Sequence, residues 1–257
     1  MHGVRWVPND TELEALLRAG ERNAPPTSKK AKRTPVTEDH IRRIHAQLDP
    51  NNPLHAATFA CLTTTFYAAA RLGEFTLPNL NAFDKTHVKP SDIRVEVDRR
   101  GQEVTVFHLP RTKSSMSGED VSWAQQNGTV DPKSALENHL QVNQPPPDGP
   151  LFAYRTKNGK KETHKALTMK KFLEVVNQAG ARANIVKISG HCIRIGATLE
   201  YLLRGVSFEA MKAKGRWASD AFLDYLREHA QILAPYIQAN PVVHKDFLDV
   251  VIPPVRR

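Results

Sequence analysis

The chain has 257 residues, 40% of them apolar and 25% charged, which supplies a compact core and excludes wholesale disorder. Its 36 Lys and Arg against 27 Asp and Glu leave a formal net charge of +9, an excess that favours a polyanionic partner, nucleic acid before membrane. Two cysteines, Cys61 and Cys192, are too few for a disulfide framework or a cysteine-based metal site, so a reducing compartment is the default.

Residues 10–20 predict a short helix capped by Asp10 or Thr11, with Leu13, Leu16 and Leu17 as its stripe. Acids and the lack of an apolar core in residues 1–20 argue against a signal peptide. Residues 23–35, NAPPTSKKAKRTP, read as an exposed linker and a domain boundary. Its Lys29, Lys30, Lys32 and Arg33 fit a nuclear import signal or a segment lying along DNA phosphates, with a solvated charge run as the bland alternative. Thr37-Glu38-Asp39-His40 opens a second helix with Ile41, Ile44 and Leu48 on one face. A third helix, mostly buried, covers 53–71. The uncharged stretch 50–70 is long enough for a bilayer, but its threonines, asparagines and histidine fit a buried helix better, and no membrane partner is expected.

The period then changes. Ile93, Val95 and Val97 alternate with polar residues, Asp98-Arg99-Arg100-Gly101 makes a turn, and Val104, Val106 and His108 continue the alternation. Arg111-Thr112-Lys113 follows this hairpin, and a third short strand covers 119–123. Residues 131–142 read as a helix, 143–150 as a proline loop, and 151–164 as an apolar patch with the basic turn KNGKK. Helices return at 167–183, 191–204, 207–214 and 219–233. The expected fold class is mainly α with a small antiparallel β-sheet.

Walker-A, G-x-G-x-x-G, H-E-x-x-H, G-x-S-x-G and C-x-x-C patterns are all missing, so nucleotide, zinc-hydrolase and serine-hydrolase readings lose their usual support. The segment from Ser189 to Tyr225 is different. His191 and Arg194 stand three apart at a helix start, so both project from one face, while Ile195, Leu199 and Leu202 lie on a separate apolar stripe. After a turn at Gly205 a short helix ends at Gly215; Arg216 and Trp217 follow, and Ser219 or Asp220 caps a helix carrying Tyr225. Singly, each residue has a plain structural reading: Arg71 as a surface ion pair, Lys113 as a solvated lysine, Trp217 and Tyr225 as core.

Taken together, the S-G-H-x-x-R start, the R-G-V-S turn, the G-x-W step and the following tyrosine resemble the tyrosine recombinases, and the Cre-like members most closely, including sequences abundant in mushroom-forming fungi. The likeness extends upstream to Arg71-Leu72-Gly73-Glu74, expected to close the buried helix, and to Lys113 just after the second strand; it covers roughly residues 36–235. It implies the tyrosine recombinase catalytic-domain fold, and DNA strand cleavage and rejoining through a 3′-phosphotyrosine in site-specific recombination or mobile-element integration. Arg71 and Arg194 would hold the scissile phosphate, Tyr225 would attack it, Lys113 would protonate the leaving 5′-oxygen, His191 would help with proton transfer, Trp217 would donate its indole N–H, and Glu74 would orient His191 or an arginine. The bond energy is kept in the phosphotyrosine, so neither ATP nor a metal or other cofactor is expected. Arg111, Arg216 and Lys157, Lys160 and Lys161 would contact DNA backbone.

The resemblance also implies a homo-tetramer on two duplexes, with residues 236–257, including Tyr236, Ile237, Phe247, Leu248 and Val251, as an oligomer contact, and a nuclear location for a eukaryotic protein. Residues 1–22 are read as the remnant of an N-terminal DNA clamp. Two departures stand out: that short N-terminal piece, and a Trp217-to-Tyr225 spacing of eight residues, about one fewer than in Cre, with Tyr236 as the fallback nucleophile. The rival readings are a catalytically inactive DNA-binding remnant and a type IB topoisomerase.

Overall fold

The computed structural model describes residues 9–28, 33–113, 115–158, 161–218 and 220–237. Lys29, Lys30, Lys32, Lys160, Phe247, Leu248 and Val251 lie outside the described residues. The chain divides into two compact units, residues 1–33 and Thr34 onward. In the first, helix α1 (Asp10–Asn23) is capped by Asn9, whose side chain accepts the Thr11 N–H at 3.2 Å. The cap therefore precedes the expected Asp10 or Thr11, and the helix continues past Gly20. Its leucine stripe faces solvent, with Leu16 70% exposed.

The second unit is built around one helix. Helix α2 (Glu38–His45) starts with a reciprocal cap: the Thr37 hydroxyl accepts the His40 N–H at 3.2 Å, and His40 Nδ1 accepts the Thr37 N–H at 3.3 Å. It buries Ile41 and Ile44; Leu48, expected on the same helix, is buried in the turn beyond it. Helix α3 (Pro53–Tyr67) opens at Asn52, which accepts from Leu54 and His55 N–H, with Pro53 needing no partner at the first position. Ala57, Ala60, Cys61, Leu62 and Phe66 are buried on every side of it, as are Thr58 and Thr63 to Thr65. A helix without a polar face belongs in the centre of a domain.

That central helix ends sooner than the sequence predicts. It stops at Tyr67, and Ala68 to Ala70 form a buried turn in which Ala69 has φ 48°. Helix α4 (Leu72–Phe75) then starts afresh with Arg71 at its N-cap. Arg71 and Glu74 therefore sit on a separate helical turn rather than at the end of the buried helix.

Strands β1 (Ile93–Val97), β2 (Glu103–Leu109) and β3 (Glu119–Ala124) form an antiparallel sheet in that order, with Ile93 opposite Phe107 and Phe107 opposite Val121. The third strand falls where it was expected. The core-facing residues of β2 are Phe107 and Leu109, with Val121 and Trp123 beside them on β3. His108 points the other way and meets Asp120 at 2.9 Å, while Val95 and Val97 are exposed on the edge strand. Helix α5 (Pro132–Asn143) packs on α3. The apolar patch and basic turn read at 151–164 include a second hairpin, β4 (Tyr154–Asn158) and β5 (Lys161–Lys165). It is fastened by Asn143, which accepts the Arg155 N–H at 2.9 Å.

Helices α6 (Met169–Arg182), α7 (Gly190–Leu203) and α8 (Phe208–Lys214) follow. On α7, a Cβ at Gly196 would lie 1.8 Å from the Val36 carbonyl oxygen, so only glycine lets the extended chain before α2 lie flat on this helix. The Val36 N–H donates to the Cys192 carbonyl there at 3.0 Å. The helix expected over 219–233 is two elements: a 3-10 stretch, Asp220–Tyr225, and helix α9 (His229–Ile237), separated by Glu228 at φ 53°. No helix among the described residues is long and apolar enough to cross a membrane.

Candidate active site

The N-terminal turns of α7 place His191 and Arg194 at one end of the central helix, beside α4. Arg194 is 2% exposed, and its guanidinium carbon lies 4.2 Å from the centroid of the Trp217 ring and 5.4 Å from that of Tyr225. Its Nη2 donates to the Gly215 carbonyl, while Nε and Nη1 have no protein partner among the described residues. Burial, and then the neighbouring charge of Arg71, pull its pKa down to about 10, so it is still a cation at neutral pH. A buried cation with two unmatched donors is costly unless an anion completes it.

Trp217 forms the shelf under this guanidinium. A Cβ at Gly215 would sit 1.6 Å from the indole ring, so the glycine is the space the ring occupies. The same ring packs 5.0 Å from Tyr225 and 5.2 Å from Phe222. Tyr225, at the end of the 3-10 stretch, is partly exposed and stacks on the exposed His191, with centroids 6.4 Å apart and planes 11° apart. The short 3-10 stretch rises faster per residue than an α-helix would. It returns Tyr225 to Arg194 and His191 despite the eight-residue spacing from Trp217.

The acid end of the cluster lies on α4. Glu74 accepts the Arg71 backbone N–H at 2.8 Å and its Nη1 at 3.1 Å. Glu74 also accepts Arg216 Nη2 at 2.6 Å. The glutamate thus ties the two arginines together. Lys113 is exposed in the turn joining β2 to β3, next to Thr112, whose hydroxyl donates to Glu119 at 2.5 Å.

This arrangement of elements is similar to XerA recombinase, whose crystal structure matches 86% of this chain and 69% of that one at TM-score 0.53 and 16% identity. The fold is that of the tyrosine recombinase catalytic domain. FLP recombinase in a Holliday-junction complex matches 90% of this chain at TM-score 0.49 and 14% identity, and the chain spans 55% of its length. No family model and no curated protein sequence matches the chain.

Within this tyrosine recombinase fold, Arg216 departs from its expected part. Its side chain is only 10% exposed and its two terminal nitrogens go to Glu74 and Glu119 rather than to the open surface. Burial within a two-carboxylate clamp is the physical reason. Arg33, Arg111, Lys157 and Lys161 are exposed, the last two at the end of the β4–β5 hairpin. Glu119 was not singled out in the sequence; a glutamate opening a short strand carries no local signal, and its part emerges only from long-range pairing. Lys214, just before Gly215, is half-buried over the Tyr201 ring and donates to the Ser122 carbonyl at 2.9 Å, and desolvation lowers its pKa to about 8.

Proposed function

We propose that this chain cleaves and rejoins DNA strands through a covalent 3′-phosphotyrosine, in site-specific recombination or mobile-element integration. The observation that carries the reading is Arg194: a buried guanidinium, stacked on Trp217, with two free donors beside the Tyr225 ring. A phosphodiester is an anion, and arginine offers permanently charged donors in a fork that matches its nonbridging oxygens. Arg71 is the second such donor. The charge on those oxygens grows in the five-coordinate transition state, so each donor is worth more there than on the bound substrate, typically about 3–4 kcal/mol.

The Tyr225 hydroxyl oxygen forms a bond to phosphorus as the bond to the 5′-oxygen breaks. A free phenol ionises near pH 10, so at neutral pH the attack needs a base to take its proton. His191, stacked on the ring, accepts the phenol proton; Lys113 gives a proton to the departing 5′-oxygen. A 5′-hydroxyl from another strand then attacks the phosphotyrosine, the bond from phosphorus to the tyrosine oxygen breaks, and the proton transfers run in reverse. No net phosphoester bond is lost. Arg33, Arg111, Lys157 and Lys161 supply DNA backbone contacts, which position but do not specify sequence.

The test uses a library of duplexes nicked just beyond the candidate phosphate, with randomised flanks, so that cleavage releases a short fragment and traps the adduct. A denaturant-stable protein–DNA adduct that disappears in Tyr225→Phe supports the reading. Salt-sensitive DNA binding with no adduct at high protein concentration supports an inactive DNA-binding remnant instead.

A further inference from the structure

Arg216 stands at φ 57°, a left-handed conformation disfavoured for any residue with a Cβ. Its side chain is nearly buried and bridges two carboxylates: Nη1 lies 3.0 Å from Glu119 Oε2 and Nη2 lies 2.6 Å from Glu74 Oε2. Each carboxylate in turn holds a part of the candidate site. Glu74 bonds Arg71 through both its backbone and its guanidinium. Glu119 accepts the Thr112 hydroxyl at 2.5 Å, and Thr112 directly precedes Lys113. The turn around Lys113 is itself fixed, because the Thr112 N–H donates to the Ser115 carbonyl at 2.8 Å and its hydroxyl accepts the Ser115 N–H at 3.0 Å. One guanidinium therefore joins the turn that carries the lysine to the acid that holds the arginine. Removing one member of such a buried set leaves charges without their counterpart, which is why the tie resists opening.

We propose that Arg216 is a positioning residue that locks the Lys113 turn to the Arg71–Glu74 pair, so that proton donor and phosphate holder keep one relative geometry. The proposal rests on the phosphotyrosine reading above. The Arg216 guanidinium is taken up by the two carboxylates, and its effect passes through Glu119 and Thr112 to Lys113. A displacement of about 1 Å at a proton donor is enough to slow a reaction on the order of a hundredfold.

The test compares the parent chain with Arg216→Met, Arg216→Lys and Glu119→Gln on two nicked duplexes chosen from the library. In one, the 5′-bridging oxygen of the scissile phosphate is replaced by sulfur. A thiol ionises near pH 8.5, so the sulfur leaves as a thiolate without needing a donated proton. Arg216→Met is expected to slow the oxygen substrate about a hundredfold and the sulfur substrate by less than about threefold, with partial recovery in Arg216→Lys. Glu119→Gln breaks the same tie from the other side and should show the same split, which covers a failure of Arg216→Met to fold. Hydrogen exchange of these proteins should show residues 110–118 opening at least about tenfold faster, with 53–67 unchanged. Equal slowing of both substrates, or no change in exchange at 110–118, would overturn the positioning role. A parent inert on both duplexes would overturn the phosphotyrosine reading and this role with it, a result distinct from a defect confined to the variants.

Discussion

The central carbon of the Arg194 guanidinium lies 4.2 Å from the centroid of the Trp217 ring, and both side chains meet Gly215. Gly215 accepts one Arg194 N–H and leaves room for the indole. The arginine is thus pre-positioned by contacts that do not consume its remaining two donors. This is the form an anion site takes when the protein, not the ligand, bears the ordering cost.

Arg194→Met follows directly. A buried cation with unmatched donors contributes little to folding, and an apolar replacement of similar length should leave stability within about 1 kcal/mol of the parent. Adduct formation should fall at least about a hundredfold. Urea unfolding beside the adduct assay checks both. A stability loss above about 3 kcal/mol would make Arg194 a structural residue.

Gly215→Ala should lower both stability and cleavage. The added methyl has no room beside Trp217, so the ring must move, at a cost of about 1–3 kcal/mol. Trp217 fluorescence and the denaturation midpoint should both shift, and DNA cleavage should fall although no charged group has been touched. An unchanged spectrum would show that the ring does not rest on this glycine.

Lys214 carries a pH signature. Burial lowers its pKa in the folded chain to about 8, against the ordinary lysine value of 10.5. Between those values the unfolded chain binds more protons, so this group makes the folded state gain stability as pH rises from about 8 to about 10.5. At neutral pH it lowers stability, on the order of 3 kcal/mol by linkage. Lys214→Met should therefore be more stable than the parent at pH 7, and the gap should close toward pH 10. Thermal unfolding from pH 7 to 10 reads this; a constant gap would mean that Lys214 ionises normally.

Much of this could be read from residue order and period. The Thr37 cap, the apolar run of α3, the β1–β2 turn and the His191–Arg194 spacing all carry local signals that agree with the fold. The discrepancies have physical causes. Ala68 to Ala70 are strong helix formers, yet the chain turns there because tertiary burial overrides propensity. The β4–β5 hairpin has no alternating apolar residues; Asn143 fastens it through backbone bonds that no local pattern encodes. Arg216 occupies a left-handed turn without a glycine or asparagine to announce it, and its two carboxylate partners are distant in sequence. The paired motifs of the candidate site were visible as motifs; the clamp joining them was not.

The most direct test is to digest the trapped protein–DNA adduct with trypsin and nuclease and locate the nucleotide by mass spectrometry. A nucleotide-linked tyrosine is expected in the peptide covering residues 217–227, on Tyr225. A nucleotide on Tyr236, or no linked peptide from a chain that binds DNA, would contradict it.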